Sequence, residues 1–216
     1  MDRREYADRT AAGRTLAGAL QSYAGRPGTM VLGLARGGIP LAASLAEHLR
    51  LPLGALVVKK LGVPGHEETA FGALATLDGT VVEWLNTPFR ERLLREGYSP
   101  TGLDAVRTRE RAALLDRFAR YPAPDLPPAP ATLIVADDGL ATGATMCAAI
   151  LAVRACGPAE VVAAAPVGSR EACAAVGALA DRVVCPRMPP HFFAVGNHYL
   201  DFRQTTDAQA LALLAR

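Results

Sequence analysis

Two adjacent carboxylates, Asp137 and Asp138, stand between a short apolar run and a loop of small residues in the stretch 132–145, TLIVADDGLATGAT. Carboxylates are strong hydrogen-bond acceptors, so the pair suits the vicinal hydroxyls of a sugar. In the loop, Gly139 and Gly143 allow the backbone to approach a ligand closely. A helix is predicted to begin there, and amides at a helix N-terminus favour an anion. The stretch is therefore predicted to hold a sugar by its hydroxyls and its phosphate together.

Two better-known phosphate motifs do not account for this loop. The sequence lacks G-x-x-x-x-G-K-[ST], because Ala144 stands where the lysine is needed, and it lacks G-x-G-x-x-G after a strand. The alternative is an ordinary turn in which the acidic pair caps the helix. That alternative fits the length and order of the pattern less well than a ligand-binding loop does.

Two further segments place bare backbone or positive charge at the end of a predicted strand. Gly37 and Gly38, which follow Arg36, leave free amides between a strand and a helix, where an anion can bind. Lys59 and Lys60 end the next strand along the chain. Taken alone, the first segment is equally well a plain turn and the second a pair of solvated lysines.

Alternating strands and helices must position these segments. Apolar runs predict strands over 30–35, 54–58, 71–77, 80–85, 133–136, 161–166 and 182–185. Helices are predicted over 5–24, 39–49, 101–120, 146–155, 169–178 and 208–214. Asp78-Gly79 predicts a hairpin turn, whereas 61–69 is predicted to be a polar loop. This order is typical of an open α/β sheet, in which ligands bind beyond the carboxyl ends of the strands.

Composition excludes several other classes of function. The formal net charge is +2 and aromatic residues make up 6% of the chain, which favours neither nucleic acid nor a membrane surface as partner. No apolar run approaches the length of a membrane span, and the first residues lack the apolar core of a signal peptide. The four cysteines show no metal-ligand spacing and are interpreted as free thiols. We therefore expect a soluble cytoplasmic protein.

The segment V-A-D-D-G-L-A-T-G-A-T resembles the phosphoribosyl-pyrophosphate (PRPP) signature of type I phosphoribosyltransferases. The resemblance implies that Asp137 and Asp138 bind the ribose hydroxyls at the catalytic centre. It also implies a loop for the 5-phosphate, made of Ala141, Thr142, Gly143, Ala144 and Thr145. Arg36, Gly37 and Gly38 resemble the pyrophosphate loop of the family, which often contains a non-proline cis peptide, and Lys59 would add charge there.

Two other segments resemble the mobile flap of the family and the segment that holds the acceptor base. Lys60 would begin a flap that closes over the reaction, and His66, Glu67 and Glu68 could reach the site on closure. The segment from Phe193 to Phe202 resembles the purine-holding segment of hypoxanthine-guanine phosphoribosyltransferases, so Phe193 would stack on the acceptor base and Asp201 would lie near it.

The overall resemblance is strongest to a bacterial group of phosphoribosyltransferase-like proteins, some of them fused to hydrolase domains. It includes L-A-R-G-G-I-P, V-K-K-L-G-V-P-G and A-V-G-N-H-Y-L-D-F-R-Q-T-T-D. It implies one domain, 1–216, with an open, mainly parallel twisted α/β sheet flanked by helices as its core (about 28–185). A β-hairpin excursion (about 61–100) and a C-terminal hood (about 186–207) complete the fold. Family members commonly form homodimers.

The implied reaction transfers the phosphoribosyl group of PRPP to a small heterocyclic nitrogen acceptor and releases pyrophosphate. Mg²⁺ would bridge substrate oxygens, with most of its ligands from substrate and water and Asp137 or Asp138 touching its shell through water. Two alternatives stay open: a non-catalytic sensor of PRPP or nucleotides, and a phosphohydrolase of PRPP-like substrates.

Overall fold

A seven-stranded sheet forms the centre of the computed structural model, which describes residues 5–127 and 130–215, without the side chains of residues 67 and 68. The strand order is β4-β3-β2-β1-β5-β6-β7. The strands are β1 (Thr29–Ala35), β2 (Leu53–Val63), β3 (His66–Thr76), β4 (Val82–Leu85), β5 (Thr132–Ala136), β6 (Glu160–Ala164) and β7 (Arg182–Val184). β1, β2, β5, β6 and β7 pair in parallel, whereas β3 runs antiparallel to its two neighbours, β2 and β4. The predicted open, mainly parallel sheet is confirmed.

Seven α-helices lie in the described part of the chain. They are α1 (Arg9–Ala19), α2 (Gly38–Leu49), α3 (Thr87–Arg95), α4 (Pro100–Phe118), α5 (Ala144–Arg154), α6 (Arg170–Gly177) and α7 (Asp207–Leu214). Short 3-10 turns occur at Gln21–Tyr23 and Val195–His198. The helix predicted over 5–24 therefore occupies only its central part.

Every residue of β1 and β5 is buried, because helices cover both faces of the sheet. On one face, Leu32 and Val135 pack with Ile150 of α5. On the other face, Val31 and Ile134 pack with residues of α1 and α2. A third apolar cluster joins β2 and β3 to α4 and α7. Because β1 and β5 pair in parallel register, their carboxyl ends lie side by side at one edge of the sheet.

The segment 61–69, predicted as a polar loop, is mostly a β-ribbon. β2 continues through Val63 and β3 begins at His66, which leaves only Pro64 and Gly65 as the turn. The side chains of Leu61 and Val63 are buried, so alternate residues of this segment point into the core beside α4. The turn-forming residues of the segment obscured this alternation in the sequence.

Helix α3 has no counterpart among the sequence predictions. Its N-cap, Asn86, accepts a hydrogen bond from the Phe89 amide at 3.1 Å, and Pro88 lies in the first turn. Both are recognised helix-start signals. Leu93 is buried against the third cluster, so tertiary packing stabilises a helix whose other residues are largely charged.

Helix α1 packs closely on α2 through Gly13. A Cβ at Gly13 would lie 2.5 Å from the Leu41 carbonyl oxygen and 2.9 Å from Ser44 Cβ, a separation that real Cβ atoms do not tolerate. Gly18, in the same helix, has no neighbour within 4 Å of its Cβ position. The two glycines therefore form a matched pair for testing this contact.

We expect Gly13→Ala to lower the free energy of unfolding by about 1–3 kcal/mol, because the added methyl group overpacks the α1–α2 contact. Gly18→Ala should instead raise it by up to about 1 kcal/mol, because alanine is the better helix former and meets no obstacle. Urea denaturation followed by circular dichroism measures both. Equal stabilisation by the two substitutions would show that α1 does not approach α2 through Gly13.

Candidate active site

The acidic pair lies at the carboxyl end of β5, against the glycine pair that follows β1. The Asp137 carboxylate accepts a hydrogen bond from the Asp138 amide at 2.9 Å. A Cβ on Gly37 would lie 2.6 Å from Asp138 Oδ2, and one on Gly38 would lie 2.7 Å from the Ala136 carbonyl oxygen. Only glycine therefore leaves room for the carboxylates at this edge of the sheet.

Arg9, at the start of α1, holds Asp138 from the other side. Its Nε lies 2.7 Å from Asp138 Oδ2, and its Nη1 donates to the Arg203 carbonyl oxygen at 2.8 Å. The guanidinium lies 3.9 Å from the centre of the Phe202 ring. The Tyr199 hydroxyl donates to the Asp138 carbonyl oxygen at 2.6 Å. The N-terminal helix and the hood thus meet at this carboxylate.

The sequence predicts no role for Arg9 or Tyr199. The ion pair joins positions 129 residues apart, and one arginine near the start of a chain carries no signal of its partner.

Burial makes the two adjacent carboxylates electrostatically costly. Burial, with the charge of Asp138 as the next cause, raises the pKa of Asp137 well above its usual range. Burial also raises the pKa of Asp138, although the ion pair with Arg9 opposes this. Arg9 therefore favours the ionised form of Asp138, while Asp137 is the member of the pair that takes up a proton more readily.

The predicted phosphate loop lines a cavity of about 480 Å³ together with both aspartates, Lys60 and Phe193. Gly143 adopts φ 76° as the N-cap of α5, a conformation that favours glycine, and no side chain caps the helix there. The Ala144 amide donates to the Thr142 hydroxyl at 3.4 Å, and the amides that follow it in the first turn of α5 can face a ligand. Thr142 and Thr145 add hydroxyls to the lining. Ser169 holds the loop by donating to the Ala141 carbonyl oxygen at 2.9 Å.

A second cavity of about 580 Å³ is also lined by both members of the acidic pair. Arg36, Gly37, Lys59 and Lys60 line it, and the peptide between Ala35 and Arg36 is cis. The structure thus brings the three predicted segments together around the carboxylates. Lys60 lines both cavities, whereas Lys59 forms an ion pair with Glu110 of α4 at 3.2 Å.

The two predicted acceptor residues lie apart. Phe193 is 84% exposed and lines the 480 Å³ cavity. Asp201 does not line that cavity; Arg203 lies 2.6 Å from its carboxylate and lowers its pKa to about 2. Asp201 instead faces a third cavity, next to Asp8 and Thr206. The 3-10 turn at Val195–His198 separates the two residues along the chain, so their closeness in sequence does not place them in one cavity.

Of the three residues predicted to reach the site on closure of the flap, the structure describes the side chain of one. His66 is exposed and lines none of the cavities around the acidic pair, while the side chains of Glu67 and Glu68 lie outside the described part.

Within residues 5–127 and 130–215, His, Cys, Asp and Glu side chains form no cluster of three or more that could hold a metal ion. No helix in these ranges is both long and apolar enough to span a bilayer.

An open α/β sheet whose acidic pair lines two neighbouring cavities, one at a helix N-terminus and one at a glycine pair with basic side chains, is the arrangement of a phosphoribosyltransferase-like protein. Two Mycobacterium tuberculosis proteins (strains CDC 1551 and H37Rv), each named "Putative phosphoribosyl transferase", are 40% identical over 97% of this chain. The crystal structure of TT1426 from Thermus thermophilus is 36% identical, with a TM-score of 0.73 over 97% of each chain. The chain belongs to the phosphoribosyltransferase-like family of these proteins. No family model matches the sequence.

The chain spans about half the length of the curated relatives it matches, since the alignment covers 46% of each M. tuberculosis protein. The matched half contains the sheet, both cavities and the acidic pair. The family is therefore established for this part. The activity of the longer relatives is not thereby established for this chain.

We expect Asp137→Asn to raise the free energy of unfolding at pH 8 by about 0.5–2 kcal/mol, the range that is common for a single stabilising substitution. Asparagine keeps the acceptor for the Asp138 amide but removes the buried charge. The gain should shrink as pH falls, because the raised pKa lets folded Asp137 bind a proton before the unfolded chain does.

Urea denaturation at pH 8 and pH 5 measures this difference, with Asp125→Asn, at an exposed position, as the control. The control should change stability little at either pH. A variant that is no more stable than the wild type at pH 8 would contradict the electrostatic account.

Proposed function

We propose that the protein transfers the 5-phosphoribosyl group of PRPP to a small nitrogen heterocycle and releases pyrophosphate. One observation carries the proposal: the acidic pair lines two cavities, one at the N-terminus of α5 and one at the glycine pair after β1, where Arg36 and Lys60 also lie. A ribose with a phosphate at one end and a diphosphate at the other matches this arrangement. A plain mononucleotide leaves the second cavity without a counterpart.

In this proposal the chain positions reactants and stabilises charge instead of forming a covalent bond. Asp138, ionised by Arg9, accepts a hydrogen bond from one ribose hydroxyl, and Asp137 accepts from the other. The amides at the start of α5 hold the 5-phosphate. Arg36 and Lys60 stabilise the negative charge that gathers on the departing pyrophosphate.

The donor set suits Mg²⁺, which prefers oxygen ligands and usually keeps several waters and substrate oxygens. Two carboxylates, one of them already paired with Arg9, form a small protein contribution of that kind. Mg²⁺, when bound, supplies positive charge at the diphosphate. Closure of the β2–β3 ribbon over the cavities is part of the same proposal, as is assembly into homodimers.

Exposed Phe193 supports a heterocyclic acceptor, because an aromatic ring at the mouth of the phosphate-loop cavity offers a stacking surface. The alternatives differ in their use of the second cavity. A sensor of mononucleotides needs no pyrophosphate site, and a phosphohydrolase would use water in place of the acceptor. The intact Arg36–Gly38 loop therefore favours transfer over sensing.

The deciding experiment incubates the protein with PRPP, Mg²⁺ and a panel of nucleobases and follows pyrophosphate release. Transfer predicts release that depends on one or a few bases. Release without any base would point to hydrolysis, and saturable PRPP binding without turnover for any base would point to a sensor.

A paired substitution tests the ribose assignment. Asp137→Asn combined with Asp138→Asn should abolish measurable PRPP binding by calorimetry, because both ribose acceptors lose their charge. The control combines Asp104→Asn and Asp125→Asn, exposed positions that line neither cavity and carry the same change in net charge. If the Asp137/Asp138 variant kept wild-type affinity, the acidic pair would not be the ribose site.

A further inference from the structure

The cavity at Arg36 extends well beyond the glycine pair, onto helix α4. Along the carboxyl edge of the sheet the order is β5, β1, β2, and the cavity lining follows it from Asp137 past Gly37 to Lys59. Neighbouring strands lie about 4.8 Å apart, so this path covers about 10 Å. Beyond β2, Arg109 and Arg117 of α4 form the far wall. A diphosphate held at the glycine pair does not account for this outer half.

The outer half carries an excess of positive charge. Lys59, Arg109 and Arg117 line it, and Glu110 is the acidic residue among them. Glu110 contacts two of these cations, with its carboxylate 3.2 Å from Lys59 Nζ and 2.9 Å from Arg109 Nε. One carboxylate shared by two cations leaves this part of the cavity positive, a field that attracts anions.

Arg117 adds a weakly paired cation to this wall. Its side chain is 18% exposed, and the nearest carboxylate in the described part of the chain, that of Asp207, lies 4.0 Å from its Nε. Asp207 is bound more closely by Arg120 at 3.1 Å and by the Tyr121 hydroxyl at 2.9 Å. Because the Nε is closed to solvent, an anion in the cavity would meet the terminal nitrogens of the guanidinium.

We propose that the outer half of this cavity binds the distal part of a chain of three or more phosphates. The first two phosphates would lie at Arg36 and the glycine pair, and the remainder at Lys59, Arg109 and Arg117. The inference shares the pyrophosphate end with the proposed function but does not require turnover of PRPP. A bound chain would occupy the pyrophosphate position and so compete with PRPP.

Isothermal titration calorimetry with inorganic diphosphate and tripolyphosphate, at equal ionic strength, tests the proposal. We expect Arg109→Gln combined with Arg117→Gln to weaken tripolyphosphate binding by about tenfold or more and diphosphate binding by less than about threefold. The control, Arg95→Gln with Arg111→Gln, removes the same charge from exposed positions outside the cavity. It should leave both affinities within about twofold of the wild type.

Three results would overturn the proposal: tripolyphosphate binding no tighter than diphosphate, both ligands weakened equally by the cavity variant, or the control variant reproducing its effect. If the Arg117 substitution impairs folding, Arg109→Gln alone, at a side chain that is 65% exposed, serves as the test and should show a smaller loss for tripolyphosphate only.

Titration with ATP and GTP separates the sources of the phosphate chain. Binding tighter than tripolyphosphate adds a nucleoside contact to the proposal, and equal binding assigns the affinity to the phosphates. Nucleotide binding without tripolyphosphate binding would overturn it. A protein that binds tripolyphosphate but not PRPP would contradict the proposed function and leave this inference intact.

Discussion

The ion pair between Arg9 and Asp138 is the interaction on which the rest of the site depends. Two adjacent carboxylates at the end of a buried strand repel each other and lose hydration, and one arginine from a distant helix offsets that cost for one of them. To deliver Arg9, α1 must lie close to α2, which Gly13 permits. The hood must also close over the same guanidinium through Phe202.

This arrangement gives two chemically identical side chains, Asp137 and Asp138, different tendencies to bind a proton. Arg9 favours ionisation of Asp138, whereas burial and the neighbouring charge raise the pKa of Asp137. Such divergence between paired carboxylates is typical of functional sites, where stability is sacrificed for reactivity or binding. Lys60 lines both cavities beside the pair, whereas Arg36 and Lys59 line one of them.

Much of the fold was predictable because its central strands are buried on both faces. Continuous apolar runs such as β1 and β5 have no other explanation in a chain of this kind, and the sheet class follows from their alternation with helices. The β2–β3 ribbon and α3 were not predicted. Turn-forming residues obscure the alternation that buries Leu61 and Val63, and α3 is a charged helix held mainly by Leu93 and by the third apolar cluster.

The sequence by itself determined the parts of the site that are contiguous: the acidic pair with its phosphate loop, and the glycine pair after β1. In these segments neighbouring residues share one local conformation, so residue type and order identify the chemistry. Only the tertiary structure decided which distant charges face them. Arg9, Arg109 and Arg117 look like solvated helix residues in the sequence, whereas packing aims them at Asp138 and the second cavity. Asp201 shows the converse, because a 3-10 turn separates it from Phe193 and its carboxylate pairs with Arg203 instead.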